Sequence, residues 1–498
     1  MPTVSEGVAR GARLALLALL PVAAFANVVA YVAHAGNPLV SSDAWYFVDA
    51  FLRPVLESGP GLQDFYVKRE SMDHAQPLLK LLLWINAAWF GLDFVVESLM
   101  GILFAAGTFL LLVVATRGDR GLQPPWLRGL LLGALALVLV TLNSGMVFDW
   151  SLVTLNYVPY FFAVLAALAA WRAVATGRFA ALAAAAFVVA AAFDGVGLVI
   201  GAAIAGSTAL AAARLGRWRA AGIAIAVVVA AQLAYRLLEP LVLDGAQPTG
   251  TVGAGTQLQV LLGFRGEWLD IARIVLGSTF VHLHQAMHHY PGNPEGLQAA
   301  FALAAVALHA WFWWRALKGP FNAAAFHAVV LMLLFYGLSA AIVYARVPLN
   351  GVGYLHEPRY VGIYLLANVA LVVMLLGQRI RAAAWGTRSL AVAGLAGLLA
   401  LQVALSAYTW REGRFLYLYY HRMAGQMLAL GADPDAVPPD CLPLLPVCRM
   451  PAESRREVMA LLQRHGLNIY SPAFAERYGL EPLVDHYRRE PARQDPIR

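Results

Sequence analysis

The chain has 498 residues, of which 60% are hydrophobic and only 13% charged, whereas a soluble domain of that length needs far more polar surface. Its net charge of +7 does not call for nucleic acid, because Arg and Lys gather in short loops on one side of a series of apolar segments. What composition leaves is an all-α, polytopic transmembrane helical bundle of about 11–12 spans.

With Arg10 and Arg13 placed inside, a first span over about 14–34 leads outward. No small-residue cleavage site follows it, so it reads as an uncleaved span. A long polar first loop, about 35–76, comes next. Residues 77–91 (PLLKLLLWINAAWFG) are apolar but short, and they contain Lys80. Counting them as a span inverts every later loop, so they are expected to lie at the outer surface without crossing. Spans over about 94–115 and 127–146 flank Arg117, Arg120 and Arg128, and one over about 158–174 ends at Arg172 and Arg178. Two short Ala-rich spans, about 179–193 and 196–213, turn at Asp194-Gly195 and end at Arg214, Arg217 and Arg219. Asp194 reads as a turn residue. Further spans cover about 220–239, 297–315, 321–343, 360–377 and 389–408, with inner ends marked by Arg315, Lys318, Arg379, Arg381 and Arg388.

The transmembrane domain thus runs over about 1–408, and 409–498 forms a small outer-face segment, polar, Pro-rich and too short for a large core of its own. Both cysteines, Cys441 and Cys448, fall in this tail. Outside the cytoplasm they can form a local disulfide, and two unpaired thiols are the alternative. The expected location is a bacterial inner membrane, with a cytoplasmic N-terminus and a periplasmic C-terminus.

Acids collect at the outer ends of spans: Asp43, Asp49, Asp64 and Asp73 in the first loop, Asp149 after the third span, and Glu357 before the tenth. Basic groups share that face, namely Lys68, Arg69, His74, Arg346, His356 and Arg359. A carboxylate there can take a proton from an attacking hydroxyl, and an Arg can hold a phosphate leaving group through paired hydrogen bonds. Long outer loops also carry acids simply because they are solvated. His282, His284, His288 and His289 include a pair one helical turn apart, a spacing able to ligate zinc. With no adjacent acid or Cys they read as an interface helix, and no metal ligand is assigned.

Three stretches carry a resemblance. Ser42-Asp43-Ala44-Trp45-Tyr46 resembles the Asp-Glu-x-x-Tyr-like stretch of the GT-C glycosyltransferases of the protein O-mannosyltransferase and aminoarabinose-transferase superfamily. His74-Ala75-Gln76-Pro77-Leu78, with the Phe90-Gly91 that follows, resembles their His-Pro-Pro-Leu segment and its ending. Glu357-Pro358-Arg359-Tyr360 is similar to their Pro-Arg-Tyr signature. The three occur in the family's order and map to one face. Two departures stand out: Ala44 replaces the second acid of the first motif, and Gln76 stands where the family has Pro. They leave the donor sugar and any dependence on a divalent cation open.

The resemblance implies a substrate, a polyprenyl-phosphate-linked sugar, and a glycan, lipid or protein acceptor met among membrane lipids. It also implies roles: Asp43 as general base, Asp149 as a second acid positioning the acceptor or a metal, Arg359 with His74, Lys68 and Arg69 at the donor phosphate, and Glu357, Tyr360 and Tyr46 in support. A transporter or lipid-linked-sugar flippase is the alternative. That class places ionisable groups and broken helices near the bilayer midplane, whereas most spans here are clean. A non-catalytic scaffold is a third possibility.

Overall fold

A computed structural model describes residues 4–68, 75–243, 254–379 and 385–489. Among them every regular element is helical. The principal helices are α1 (Val4–Ala35), α2 (Pro77–Phe90), α3 (Phe94–Ala115), α4 (Pro125–Leu139), α5 (Tyr157–Thr176), α6 (Ala180–Leu215), α7 (Trp218–Leu243), α8 (Pro294–Lys318), α9 (Ala323–Asn350), α10 (Val361–Leu376), α11 (Trp385–Gly413), α12 (Leu416–Ala432) and α13 (Ala452–Arg464). Eight helices among the described residues are long and apolar enough to cross a membrane, and Leu19–Ala35, Pro77–Phe90 and Pro125–Leu139 are shorter apolar helices. The chain is a multi-pass membrane bundle.

The basic loops share one end of this bundle. Arg128 donates to the Thr116 carbonyl at 3.0 Å, Arg217 to the Val174 carbonyl at 3.1 Å and Arg214 to the Gly319 carbonyl at 2.6 Å. Arg315 reaches Gln378 at 2.8 Å, and Asn322 donates to the Gly377 carbonyl at 2.9 Å. The turns are short because Gly177 and Gly216 end α5 and α6 in the left-handed region, where a Cβ is costly.

Helix α6 is a hairpin. Phe193 packs on Phe162 near the start of α5, with ring centres 5.5 Å apart. Arg217, just beyond the end of α6, sits at the far end of α5, so the chain must run out and back between them. A Cβ at Gly197 would lie 2.4 Å from the Val189 carbonyl oxygen, although eight residues of continuous helix span about 12 Å. The reversal occurs at Asp194 (φ 46°, ψ −118°), a backbone conformation that favours glycine.

Helix α2 does not cross. Near its start, Lys80 donates to the Asp64 carbonyl at 3.0 Å. Past its end, the Gly91 carbonyl accepts from the Asn468 backbone at 2.7 Å. Both anchors belong to the end of the bundle opposite the basic loops, so the helix lies across that end with Trp89 and Phe90 exposed. Aromatic side chains at such a boundary suit a membrane interface.

The tail and the first loop pack together as one cap. Trp45, Phe51 and Leu52 of the first loop share one core with Met423, Met427, Val458, Leu461 and Ile469. Buried Asp93, which caps α3, ties this unit to the bundle by accepting from Arg477 at 2.7 Å and Tyr478 at 2.9 Å. Cys441 and Cys448 are joined in a disulfide.

Candidate functional site

The cap and the bundle meet where the first and last of the three motifs come together. Asp43 precedes the short helix Ala44–Phe47, but its side chain does not cap that helix. Instead its Oδ2 lies 3.7 Å from Nη1 of Arg359, a residue 316 positions later. Glu357 approaches the same guanidinium at 3.5 Å. Aromatic faces surround the cation: Trp150 at 5.3 Å, Tyr354 at 5.4 Å and Tyr360 at 5.8 Å. They favour a guanidinium over a compact ammonium. The Asp43 side chain stays 40% exposed and that of Arg359 26%, so this pair is loose and open to solvent, a geometry worth little to stability.

Trp150 also borders a mostly apolar cavity of about 170 Å³, walled by Asn37, Ser42, Asp149, Tyr419 and Leu444 among others. Asp149 accepts from the Tyr31 hydroxyl at 3.2 Å through Oδ2. Its Oδ1, like Nε1 of Trp150 and Nε of Arg359, is buried without a hydrogen-bond partner among the described residues. Burial, opposed by the Tyr31 bond and reinforced by Glu412, holds the Asp149 carboxyl well above the ordinary carboxylate range. Burying an ionised carboxylate without a cation partner is costly. The site therefore offers one partly exposed carboxylate, one half-buried guanidinium and one buried acid whose protonated form burial favours.

The loop carrying Glu357 and Arg359 is held from beneath by a residue the motifs do not reveal. His282 donates through Nε2 to the His356 carbonyl at 2.7 Å, and its Nδ1 accepts from the His284 backbone at 3.3 Å. Those partners require one neutral tautomer, and burial lowers the His282 pKa to about 4. His284 pairs with Glu412 at 2.8 Å. Among the described residues no group of three or more His, Cys, Asp or Glu is placed to hold a metal ion.

Other expected site residues are placed elsewhere. Tyr46 faces a small apolar depression beside Phe51 and Lys80. Lys68 lies 3.1 Å from both Asp194 and Glu239, while Arg236 approaches the same two acids at 2.9 Å. Asp194 is thus a turn residue and also the buried centre of an ionic network. Arg69 and His74 lie outside the described residues. The chain matches no protein-family model, no curated protein and no solved structure.

Proposed function

We propose that the chain is an integral-membrane glycosyltransferase that moves a sugar from a polyprenyl-phosphate carrier to a glycan, lipid or protein acceptor at the outer face of a bacterial inner membrane. The observation that carries this reading is the Asp43–Arg359 pair, distant in sequence, 3.7 Å apart and beside a cavity. The acceptor oxygen attacks the anomeric carbon while its proton passes to Asp43. The bond from that carbon to the phosphate oxygen breaks, and the electron pair leaves with the phosphate, whose charge Arg359 offsets. Glu357 orients the guanidinium, and Asp149, in the cavity wall, meets the acceptor as a hydrogen-bonding group. The orientation draws on the basic loops at the other end, expected on the cytoplasmic side, and on the disulfide in the cap, which suits an oxidising compartment.

Purified protein in detergent, given a panel of polyprenyl-phosphate sugars and candidate acceptors, is expected to release free polyprenyl phosphate. A flippase, the second reading, draws on the broken helix α6 and its buried charges. In proteoliposomes it would move intact lipid-linked sugar with no such release, and that outcome rejects the transferase.

A further inference from the structure

The disulfide-closed loop Cys441–Cys448 reaches the residue before the candidate base through a backbone hydrogen bond. Ser42, immediately before Asp43, adopts φ 50°, a left-handed conformation that a non-glycine residue holds only when its surroundings impose it. What holds it is the Leu444 carbonyl, which accepts from the Ser42 backbone N–H at 2.8 Å. Leu444 is in turn fixed by its loop. The disulfide closes that loop. Gln426 of α12 accepts from the Leu442 backbone at 3.0 Å and donates to the Asp440 carbonyl at 3.1 Å. Leu442, Leu445, Val447 and Cys448 are buried with Ala44 and Trp45 in the shared core. Leu444 and Ser42 also both line the cavity that holds Asp149.

We propose that this loop is a positioning element of the site: through Leu444 it holds Ser42 left-handed and so aims Asp43 at Arg359 and at the cavity. The functional half of this inference rests on the transferase reading, and the structural half does not. Removing the disulfide frees the loop, lets Ser42 relax to an ordinary backbone conformation and turns the Asp43 carboxylate away. Arg359 is untouched, so donor binding should survive while turnover falls. Glycine adopts the left-handed region unaided, so Ser42→Gly should restore what the missing brace takes away.

The test uses the full chain in detergent with Cys441→Ser/Cys448→Ser, and the same double change combined with Ser42→Gly. Backbone hydrogen exchange over residues 40–47 is read alongside transfer kinetics. The expected result is faster exchange in that segment. With it, kcat should fall by about tenfold to a hundredfold, the effect of a small misplacement of a reacting group, at an unchanged KM for the donor. Ser42→Gly should recover most of that loss without slowing exchange in the loop itself. Unchanged exchange over 40–47 overturns the brace. Faster exchange with undiminished kcat, or a loss that Ser42→Gly does not recover, overturns its role in positioning Asp43. A native chain with no transfer activity at all rejects the transferase reading, while the exchange measurement still decides the brace.

Discussion

Two charge clusters sit at the same end of the bundle and are built in opposite ways. At the apex of the α6 hairpin, Asp194, Lys68, Arg236 and Glu239 pair at 2.9 and 3.1 Å, and the Asp194 side chain is only 3% exposed. At the junction of cap and bundle, Arg359 stands 3.7 Å from Asp43 and 3.5 Å from Glu357, on aromatic faces and beside a cavity. Among the described residues, the first cluster sets two acids against two cations at close range. The second keeps its charges partly solvated, and Arg359 donates to the Tyr354 hydroxyl at 2.5 Å. Buried, mutually neutralised charges hold structure, whereas loosely paired charges next to a cavity remain able to exchange their partners for substrate.

The largest effect is expected at the closed cluster. Asp194→Ala leaves Lys68 and Arg236 to share Glu239 alone, and breaking a buried pair in this way costs about 3–5 kcal/mol. It should appear as a sharp drop in melting temperature in detergent, with activity lost only in proportion to unfolded protein. A variant that melts normally but is inactive would move function to this cluster and erase the contrast. At the open cluster Arg359→Ala should do the reverse. Stability should change by no more than about 0.5 kcal/mol, while release of polyprenyl phosphate slows by about 10²–10³. Arg359→Lys keeps the charge but loses the planar fork, so its rate should fall between those of the native chain and Arg359→Ala. A Lys variant as active as the native chain would show that charge alone suffices.

The smallest effect concerns Asp149 and depends on pH. Burial raises its carboxyl well above the ordinary range, so as pH rises past about 3.9 the native fold keeps this proton longer than the unfolded chain does. The stability this lends is fully present below the unfolded value and is lost as pH rises through the native one. Asp149→Asn cannot ionise. It should therefore gain melting temperature relative to the native chain as pH is raised from about 5 to 8, with no gain near about pH 4. A constant difference at all pH values would mean that the native carboxyl titrates as an ordinary acid.

Much of the architecture was legible in the sequence because its signals are local. Apolar length marks the helices. The placement of Arg117, Arg128, Arg217 and Arg315 predicts which loops share an end, and the shortness of 77–91 with Lys80 inside it predicts a helix that stays on one side. Asp43 and Arg359 could be singled out by motif order, though nothing in their spacing says that they meet. What was not legible depends on distant partners. Lys68 reads as a donor-phosphate ligand or a solvated loop cation until its partners, 126 and 171 positions later, are seen. His282 acts on a backbone carbonyl, which leaves no mark in the sequence of its partner. The cap looks like a separate tail because its hydrophobic residues find their core in a loop nearly 400 positions earlier.

The most direct test of the account is turnover by the native chain and by Asp43→Asn, assayed together for release of polyprenyl phosphate from a polyprenyl-phosphate sugar, with melting temperatures recorded on the same samples. The account predicts release by the native chain, a loss of about 10²–10⁴ in Asp43→Asn, and matching melting curves. Equal release by both proteins would contradict the assignment of Asp43 as the base and leave the open cluster without its central role.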